Sequence, residues 1–351
     1  MLGMLVATGC SRGFEGELLD NSTPETYLVT DTIIRFGDDR LESEVSLQWW
    51  GDDPDGFIVG FEFSFDAVIT DATIWQYTTA LDSTFILAPP PGADSADFVF
   101  HIRAIDNQQH TDPTPASLTV PVKNSPPQVT VIPGLNVPFK SFPALRYFWE
   151  GSDPDGFQNL DHYEICFNDT TGPIVQLSAT TSSAIIEAEN PTETALSCQI
   201  FPNGGTIALG ETISGLSGDA WNTFYIRAVD QSNATSPFVA ADSIYIKRVH
   251  STVLLVNGYS TTTNEAFYIN HLATQGITTV DTMQVFSTVD GAYTQQPADY
   301  LTQGKVFDMF GVIIWFSNDA NNSFSLAQKT TEAFFNSGGK MLMSVYISSS
   351  F

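Results

Sequence analysis

Seven aspartates have types and spacings that could do chemistry. Asp52, Asp53 and Asp55 fall in one short stretch, Asp153 and Asp155 in another, and Asp106 and Asp230 each close a strand-like phrase. Calcium takes about six to eight hard oxygen ligands, and aspartates two positions apart in a turn, with a carbonyl nearby, supply several of them. The spacing is therefore that of a candidate calcium site in each stretch. A turn explains the same residues: in Asp53-Pro54-Asp55-Gly56 the proline sets the second turn position, the first aspartate accepts from backbone amides and the glycine permits the exit. Asp153-Pro154-Asp155-Gly156 has identical turn chemistry. The EF-hand loop is absent and two or three carboxylates are a thin ligand set, so both readings stand.

The elements that carry these aspartates repeat. QWWGDDPDGFIVGFEFSFD at Gln48 to Asp66 returns as FWEGSDPDGFQNLDHYEICFND at Phe148 to Asp169, and FHIRAID at Phe100 to Asp106 returns as FYIRAVD at Phe224 to Asp230. A pair of shared phrases in the same order marks a repeated domain. Val45, Leu47 and Trp49 alternate with polar residues before the turn. Phe57, Val59, Phe61, Phe63 and Phe65 alternate after it, so the stretch predicts a hairpin of two half-buried strands. The first copy predicts seven strands: Tyr27 to Ile34, Glu44 to Trp50, Phe57 to Phe65, Thr73 to Thr79, Ser83 to Leu87, Asp97 to Ile105 and Ala116 to Val122. Seven short strands with turn residues between them and no helical period indicate an antiparallel sandwich. Arg103 and Arg227 are expected to lie along their sheets against the turn aspartates.

This order of signals resembles fibronectin type III domains, with their Ig-like β-sandwich. The resemblance rests on Trp49 on the second strand, Phe61 and Phe63 on the third, and Phe100, Ile102, Arg103 and Ala104 on the sixth; Trp149 and Arg227 are the counterparts in the second copy. The Leu-x-Pro-x-Thr-x-Tyr corner of that family is missing. The first sandwich is expected over residues 27–123 and the second over 125–250, joined by the stiff link Asn124-Ser125-Pro126-Pro127. The offset between copies grows from 100 at Asp53/Asp153 to 124 at Arg103/Arg227, so the second copy holds 24 more residues between the shared phrases, placed at Glu189 to Gly218. Pro89-Pro90-Pro91-Gly92 and Asp112-Pro113-Thr114-Pro115 read as loops, because proline lacks the donor a central strand needs.

With 40 acidic against 13 basic residues the formal charge is −27, which excludes a phosphate-binding surface and with it nucleic acid as a partner. The acidity suits either divalent cations or solvation in salty surroundings. Three cysteines, Cys10, Cys166 and Cys198, form neither a zinc spacing nor a disulfide framework; Cys166 and Cys198 could pair in an exported protein. Met1 to Gly9 is a short apolar run ending in small residues before Cys10, and it resembles a bacterial lipoprotein signal, in which cleavage leaves a lipidated cysteine. That resemblance implies export and a lipid anchor at the cell envelope, on the outer membrane or cell surface, with residues 1–26 as signal and polar tether. It departs from the pattern in having Ala7 where leucine is usual and no basic start.

From Ser251 the period changes. Val253 to Gly258 is a continuous apolar run, the form of a strand buried on both faces. A helix is expected next, with Ala266, Ile269, Leu272 and Ala273 on one face and Gly276 as its stop. Strands are expected at Ile277 to Val285, Gly311 to Phe316 and Met341 to Ile347. Ser325 with Gln328 reads as a capping box for a helix ending near Asn336. Strands alternating with helices predict a parallel α/β layer. Residues 251–351 resemble part of the class I glutamine amidotransferase-like fold, a Rossmann-like domain, through the Val253–Gly258 opening and the Gly338-Gly339-Lys340 that precedes the last strand. That family places a cysteine nucleophile after this strand, where the chain has Ser348, Ser349 and Ser350. The ending directly after a strand suggests a truncated frame, and no GxSxG elbow is present.

The expected protein is thus multidomain: two all-β sandwiches and a partial α/β domain. Its expected function is that of a non-catalytic surface lipoprotein whose sandwiches act as spacers or adhesion modules for a protein or glycan, touching the membrane through lipid alone. No cofactor is expected beyond the candidate calcium. The alternatives are a calcium-dependent adhesin, and a fragment of a surface hydrolase or peptidase-associated enzyme with catalytic residues beyond residue 351.

Overall fold

The computed structural model describes residues 20–30, 33–35, 40–90, 92–132, 138–259, 263–285, 296–297 and 299–347. The chain divides into two compact units, Met1–Leu87 with Ser95–Lys123, and Ala88–Asp94 with Asn124–Phe351.

The first unit holds strands β1 (Glu25–Leu28), β2 (Glu44–Asp52), β3 (Ile58–Ser64), β4 (Gln76–Thr78), β5 (Asp82–Ile86), β6 (Ser95–Asp106) and β7 (Ala116–Lys123). They form two antiparallel sheets, β1-β2-β5 and β4-β3-β6-β7. Inward residues of both sheets make one core: Val45, Leu47 and Trp49 from β2, Phe61 from β3, Phe100, Ile102 and Ala104 from β6, and Leu118, Val120 and Val122 from β7. Truncating a tryptophan such as Trp49 in this setting costs about 3–5 kcal/mol, because the cavity cannot collapse.

Three expectations shift here. Strand β1 ends at Leu28, and the described residues 29, 30, 33 and 34 are not strand; Val29 and Ile34 are exposed. Strand β4 is only Gln76–Thr78, because Thr70 to Thr73 forms a hydrogen-bonded turn ahead of it. The alternation assigned to Phe57 onward starts later, since a bulge between Ile58 and Gly60 adds one residue. One added residue reverses which face a side chain takes, so Phe57 is exposed while Phe61 is buried.

The second unit repeats the plan with additions. Its strands are β8 (Gln128–Val131), β9 (Lys140–Ser141), β10 (Ala144–Ser152), β11 (Leu160–Phe167), β12 (Val175–Ser178), β13 (Ser183–Ala188), β14 (Ala195–Pro202), β15 (Thr212–Ser217), β16 (Ala220–Asn222), β17 (Phe224–Asp230), β18 (Val239–Ala240) and β19 (Ile244–Ile246). The sheets run β15-β14-β13-β10-β8, β12-β11-β17-β18 and β16-β19-β9. The residues Glu189 to Gly218 thus contain a hairpin, β14 and β15, added to the edge of the first sheet beside β13. Tyr147, Trp149, Tyr163, Ile165, Phe224 and Ile226 lead the core, with Tyr147 and Phe224 stacked at 4.1 Å between ring centroids. The loop Ala88–Asp94 belongs to this unit: Asn124 N donates to Asp94 O and Ser232 Oγ to Ala93 O.

Four parallel strands follow, β20 (Val253–Gly258), β21 (Asp281–Gln284), β22 (Val312–Ser317) and β23 (Lys340–Val345), in the order β21-β20-β22-β23. Helix α1 (Thr263–Thr274) packs Tyr268, Ile269 and Leu272 on one face of the sheet. Helices α2 (Tyr300–Asp308), α3 (Ala320–Thr330) and α4 (Glu332–Asn336) cover the other through Val306, Phe307, Leu326, Ala327 and Phe334. Phe142, Ala144 and Val249 of the sandwich join that same core. The capping box at Ser325 is a misreading: Ser325 lies inside α3, whose N-cap is Asp319, accepting from Asn322 N at 3.0 Å. Aspartate caps as well as serine and stands first, so it starts the helix. Helix α2 escaped the sequence reading, although Asp299 caps it through Thr302 N in the same way.

Candidate functional site

In the second sandwich the turn between β10 and β11 closes with Gly156 N donating to Asp153 O at 3.0 Å. Gly156 has φ 104°, a left-handed value that a side chain resists, and a short 3-10 turn, Phe157–Asn159, follows. Asp153 Oδ1 accepts from Asp155 N at 2.8 Å. At the end of β17, Asp230 Oδ1 accepts from Ser232 N and Ala234 N, both at 2.8 Å. Two residues assigned to the link complete the arrangement: Asn124 Nδ2 donates to Asp230 Oδ2 at 2.6 Å, and Ser125 N donates to Asp155 Oδ2 at 3.0 Å.

The first sandwich builds the same constellation. Asn21 Nδ2 donates to Asp106 Oδ2 at 2.5 Å, and Ser22 N donates to Asp55 at 3.1 Å. Asp106 Oδ1 accepts from Gln108 N and His110 N, and the His110 ring stands 3.5 Å from the carboxylate. The sequence places Asn21 and Ser22 in the tether, and the structure brings them to the turn aspartates. The legible signal was Asn-Ser-x-Pro, which recurs as Asn21-Ser22-Thr23-Pro24 and Asn124-Ser125-Pro126-Pro127, with Pro24 and Pro127 both buried. Proline in both places starts the first strand from a fixed φ.

The carboxylates of the second sandwich are deeply placed and poorly matched by positive charge, whereas Asp55 in the first is exposed. Asp153, Asp155 and Asp230 are 7%, 0% and 1% exposed. Asp153 Oδ2 and Asp155 Oδ1 have no hydrogen-bond partner, nor do either oxygen of Asp53 or Asn21 Oδ1 in the first sandwich. Burial pushes Asp153 up to about 6, and the negative charges of Asp155 and Asp230 push the same way. Burial also raises Asp53, helped by Asp55 and Asp106. Burial acts on Asp106 too, but the hydrogen bonds from Asn21, His110 and Gln108 outweigh it and hold that carboxyl below its usual value. Asp52 is different, an exposed residue at the end of β2. Among the described residues, no group of three His, Cys, Asp or Glu side chains is already disposed around a common point as a metal would need.

Arg103 and Arg227 do not meet the turn aspartates, contrary to expectation. Arg103 donates to Glu62 at 2.7 and 2.9 Å and lies over the Trp75 ring; Arg227 donates to Glu164 at 2.5 Å and lies over Phe238. The reason is register: Glu62 pairs Arg103 and Glu164 pairs Arg227 directly across neighbouring strands, and such facing pairs are in reach without strain. Trp49 and Trp149 are core residues, and Trp49 Nε1 donates to Ala80 O. Cys166 and Cys198 are both free and buried. Cys10 and Ser348 to Ser350 lie outside the described residues. No helix among the described residues is long and apolar enough to cross a membrane.

No protein-family model matches the chain, and no curated protein matches it. Solved structures similar to it include the fibronectin(III)-like modules of CbhA from Clostridium thermocellum, at 13% identity and TM-score 0.21 over 63% of this chain and 94% of that one. A segment of two fibronectin type III domains from chicken tenascin matches at 12% identity and TM-score 0.29, over 64% and 99%. The chicken interferon gamma receptor alpha chain matches at 8% identity and TM-score 0.25, over 65% and 100%. At these scores the likenesses carry no weight of their own, and the β-sandwiches rest on the strand pairings described above.

Proposed function

We propose that this chain is a non-catalytic surface protein, exported and anchored by lipid at Cys10, whose two fibronectin-like sandwiches act as spacer or adhesion modules toward a protein or glycan. Residues 251–351 then add a glutamine amidotransferase-like, Rossmann-like layer, a reading supported by the parallel order β21-β20-β22-β23. The observation that carries the proposal is where the shared residues of the two copies go. Trp49 and Trp149 fill cores, and Arg103 and Arg227 pair with glutamates on their own sheets. These residues hold each module together, as a spacer requires, instead of converging on an open cleft. Expression of the chain in a bacterium with a lipoprotein pathway tests the reading. Membrane fractionation should recover the protein with the envelope, and Cys10→Ser should move it to the soluble fraction. Equal fractionation of both forms would overturn the anchor, and failure to bind any surface protein or glycan on an array would confine the sandwiches to spacing.

A further inference from the structure

We propose that each sandwich holds a divalent-cation site, with calcium as the ion, built from the hairpin-turn aspartates and closed by the Asn-Ser pair that enters the sandwich. The second site comprises Asn124, Ser125, Asp153, Asp155 and Asp230, and the first Asn21, Ser22, Asp53, Asp55 and Asp106. This inference holds whether or not the chain is anchored to an envelope.

Three observations carry it. First, three carboxylates lie within one small buried region of the second sandwich: Asp155 N donates to Asp153 Oδ1, and the adjacent residues Asn124 and Ser125 donate to Asp230 and Asp155. An uncompensated buried carboxylate is costly by several kcal/mol, so such a group must gain a proton or a cation. One proton on Asp153 leaves Asp155 Oδ1 still bare, whereas a cation satisfies both oxygens. Second, Asp155, fully buried, and Asp153 each have an oxygen without a partner, and in the first sandwich both oxygens of Asp53 and the amide oxygen of Asn21 are likewise free. Third, the constellation occurs twice, with the same residue types tied to the same elements.

The donor chemistry selects the ion. In the second sandwich every available ligand is a hard oxygen from carboxylate, amide or main chain, which suits calcium or magnesium and not the softer metals; the first differs in having the His110 ring 3.5 Å from Asp106. Calcium accepts irregular, mixed oxygen sets, whereas magnesium demands a near-octahedral one. Because carboxylates alone do not already surround a point, the amide oxygens of Asn21 and Asn124 must contribute. Turning the asparagine amide exchanges its donor for its acceptor. The ion would therefore fasten the entering segment to the turn and to the end of the sixth strand together.

The test uses the full chain. Its thermal midpoints are measured with a chelator, with about 5 mM calcium and with equal magnesium, a dose above the roughly 0.1 to 1 mM dissociation constants of extracellular calcium modules. Terbium emission, excited through tryptophan, is read in parallel. The expected result is a midpoint several degrees higher in calcium than in magnesium, with terbium emission that calcium displaces. Asp155→Asn should remove the calcium response of the second unit and leave that of the first; Asp53→Asn should do the reverse. No calcium shift and no terbium emission would overturn the proposal. So would equal shifts with magnesium, which would be charge screening, or stabilisation by acid with none by calcium, which would make these proton sites. Should the variants fail to fold, the wild-type terbium signal and its displacement decide alone.

Discussion

The side-chain amide of Asn124 reaches the buried carboxylate of Asp230 at 2.6 Å across 106 positions of sequence. Asn21 and Asp106 stand in the same relationship in the first sandwich. A turn that had only to reverse the chain would need no such partner. The segment entering each sandwich is instead part of the acidic cluster, and its contribution can be measured.

Replacing Asn124 by alanine leaves Asp230 Oδ2 without that donor. Hydrogen bonds to charged groups contribute about 1.5–3 kcal/mol, so Asn124→Ala should lower the stability of its unit by about 2 kcal/mol in chemical denaturation. Asn21→Ala should cost a similar amount in the first unit, because Asn21 is half-buried as Asn124 is and its bond likewise reaches a buried carboxylate. A loss below about 0.5 kcal/mol for Asn124→Ala would mean the bond is not formed in solution.

With calcium removed by a chelator, acidification should stabilise the second unit. Asp153 sits at about 6 when folded against an ordinary 3.8, so the folded state binds its proton more tightly and folding gains as pH falls through 6. The midpoint should rise between about pH 7.5 and about pH 5, and Asp153→Asn should flatten that rise. Asp106 has the opposite sign, and its contribution is lost only as pH falls below the ordinary carboxylate range. A midpoint that drops between pH 7.5 and 5 would refute the assignment to Asp153.

Tyr147 is fully buried against Phe224 and its hydroxyl has no hydrogen-bond partner. An unpaired buried hydroxyl is destabilising by about 1–3 kcal/mol. Tyr147→Phe keeps the stacked ring and removes the oxygen, so it should be neutral or raise stability by about 1 kcal/mol. A loss above that size would reveal a partner for the hydroxyl in solution.

Cys166 and Cys198 should resist thiol reagents in the native state. Burial pushes their thiols up to about 11 and about 12, and only the thiolate attacks. Peptide mapping after iodoacetamide treatment at neutral pH should find both unmodified until denaturant is added. Rapid native labelling of either would show that its strand opens.

The pairs Arg103–Glu62 and Arg227–Glu164 should each show a coupling of about 0.5–1 kcal/mol in a double-mutant cycle, reduced by salt, because both pairs remain partly solvated. Coupling of Arg227 to Asp153 instead would restore the pairing expected from sequence.

The sequence by itself determined the duplicated sandwich, because period-two alternation, proline-glycine turns and repeated phrases are local signals that survive without knowing what packs on what. It likewise disclosed the strand and helix alternation after Ser251, since a run such as Val253 to Gly258 states its own burial. It misplaced Arg103 and Arg227, started one helix late and took Asn21 and Asn124 for tether and link. Those matters depend on register, on a bulge at Ile58–Gly60 and on contacts spanning about a hundred residues. Only the folded chain decides which glutamate faces an arginine across a ladder, or that an asparagine ahead of a sandwich closes over the turn aspartates. Cross-strand partners and buried charge are properties of the assembled sheets, and no local stretch of residues encodes them.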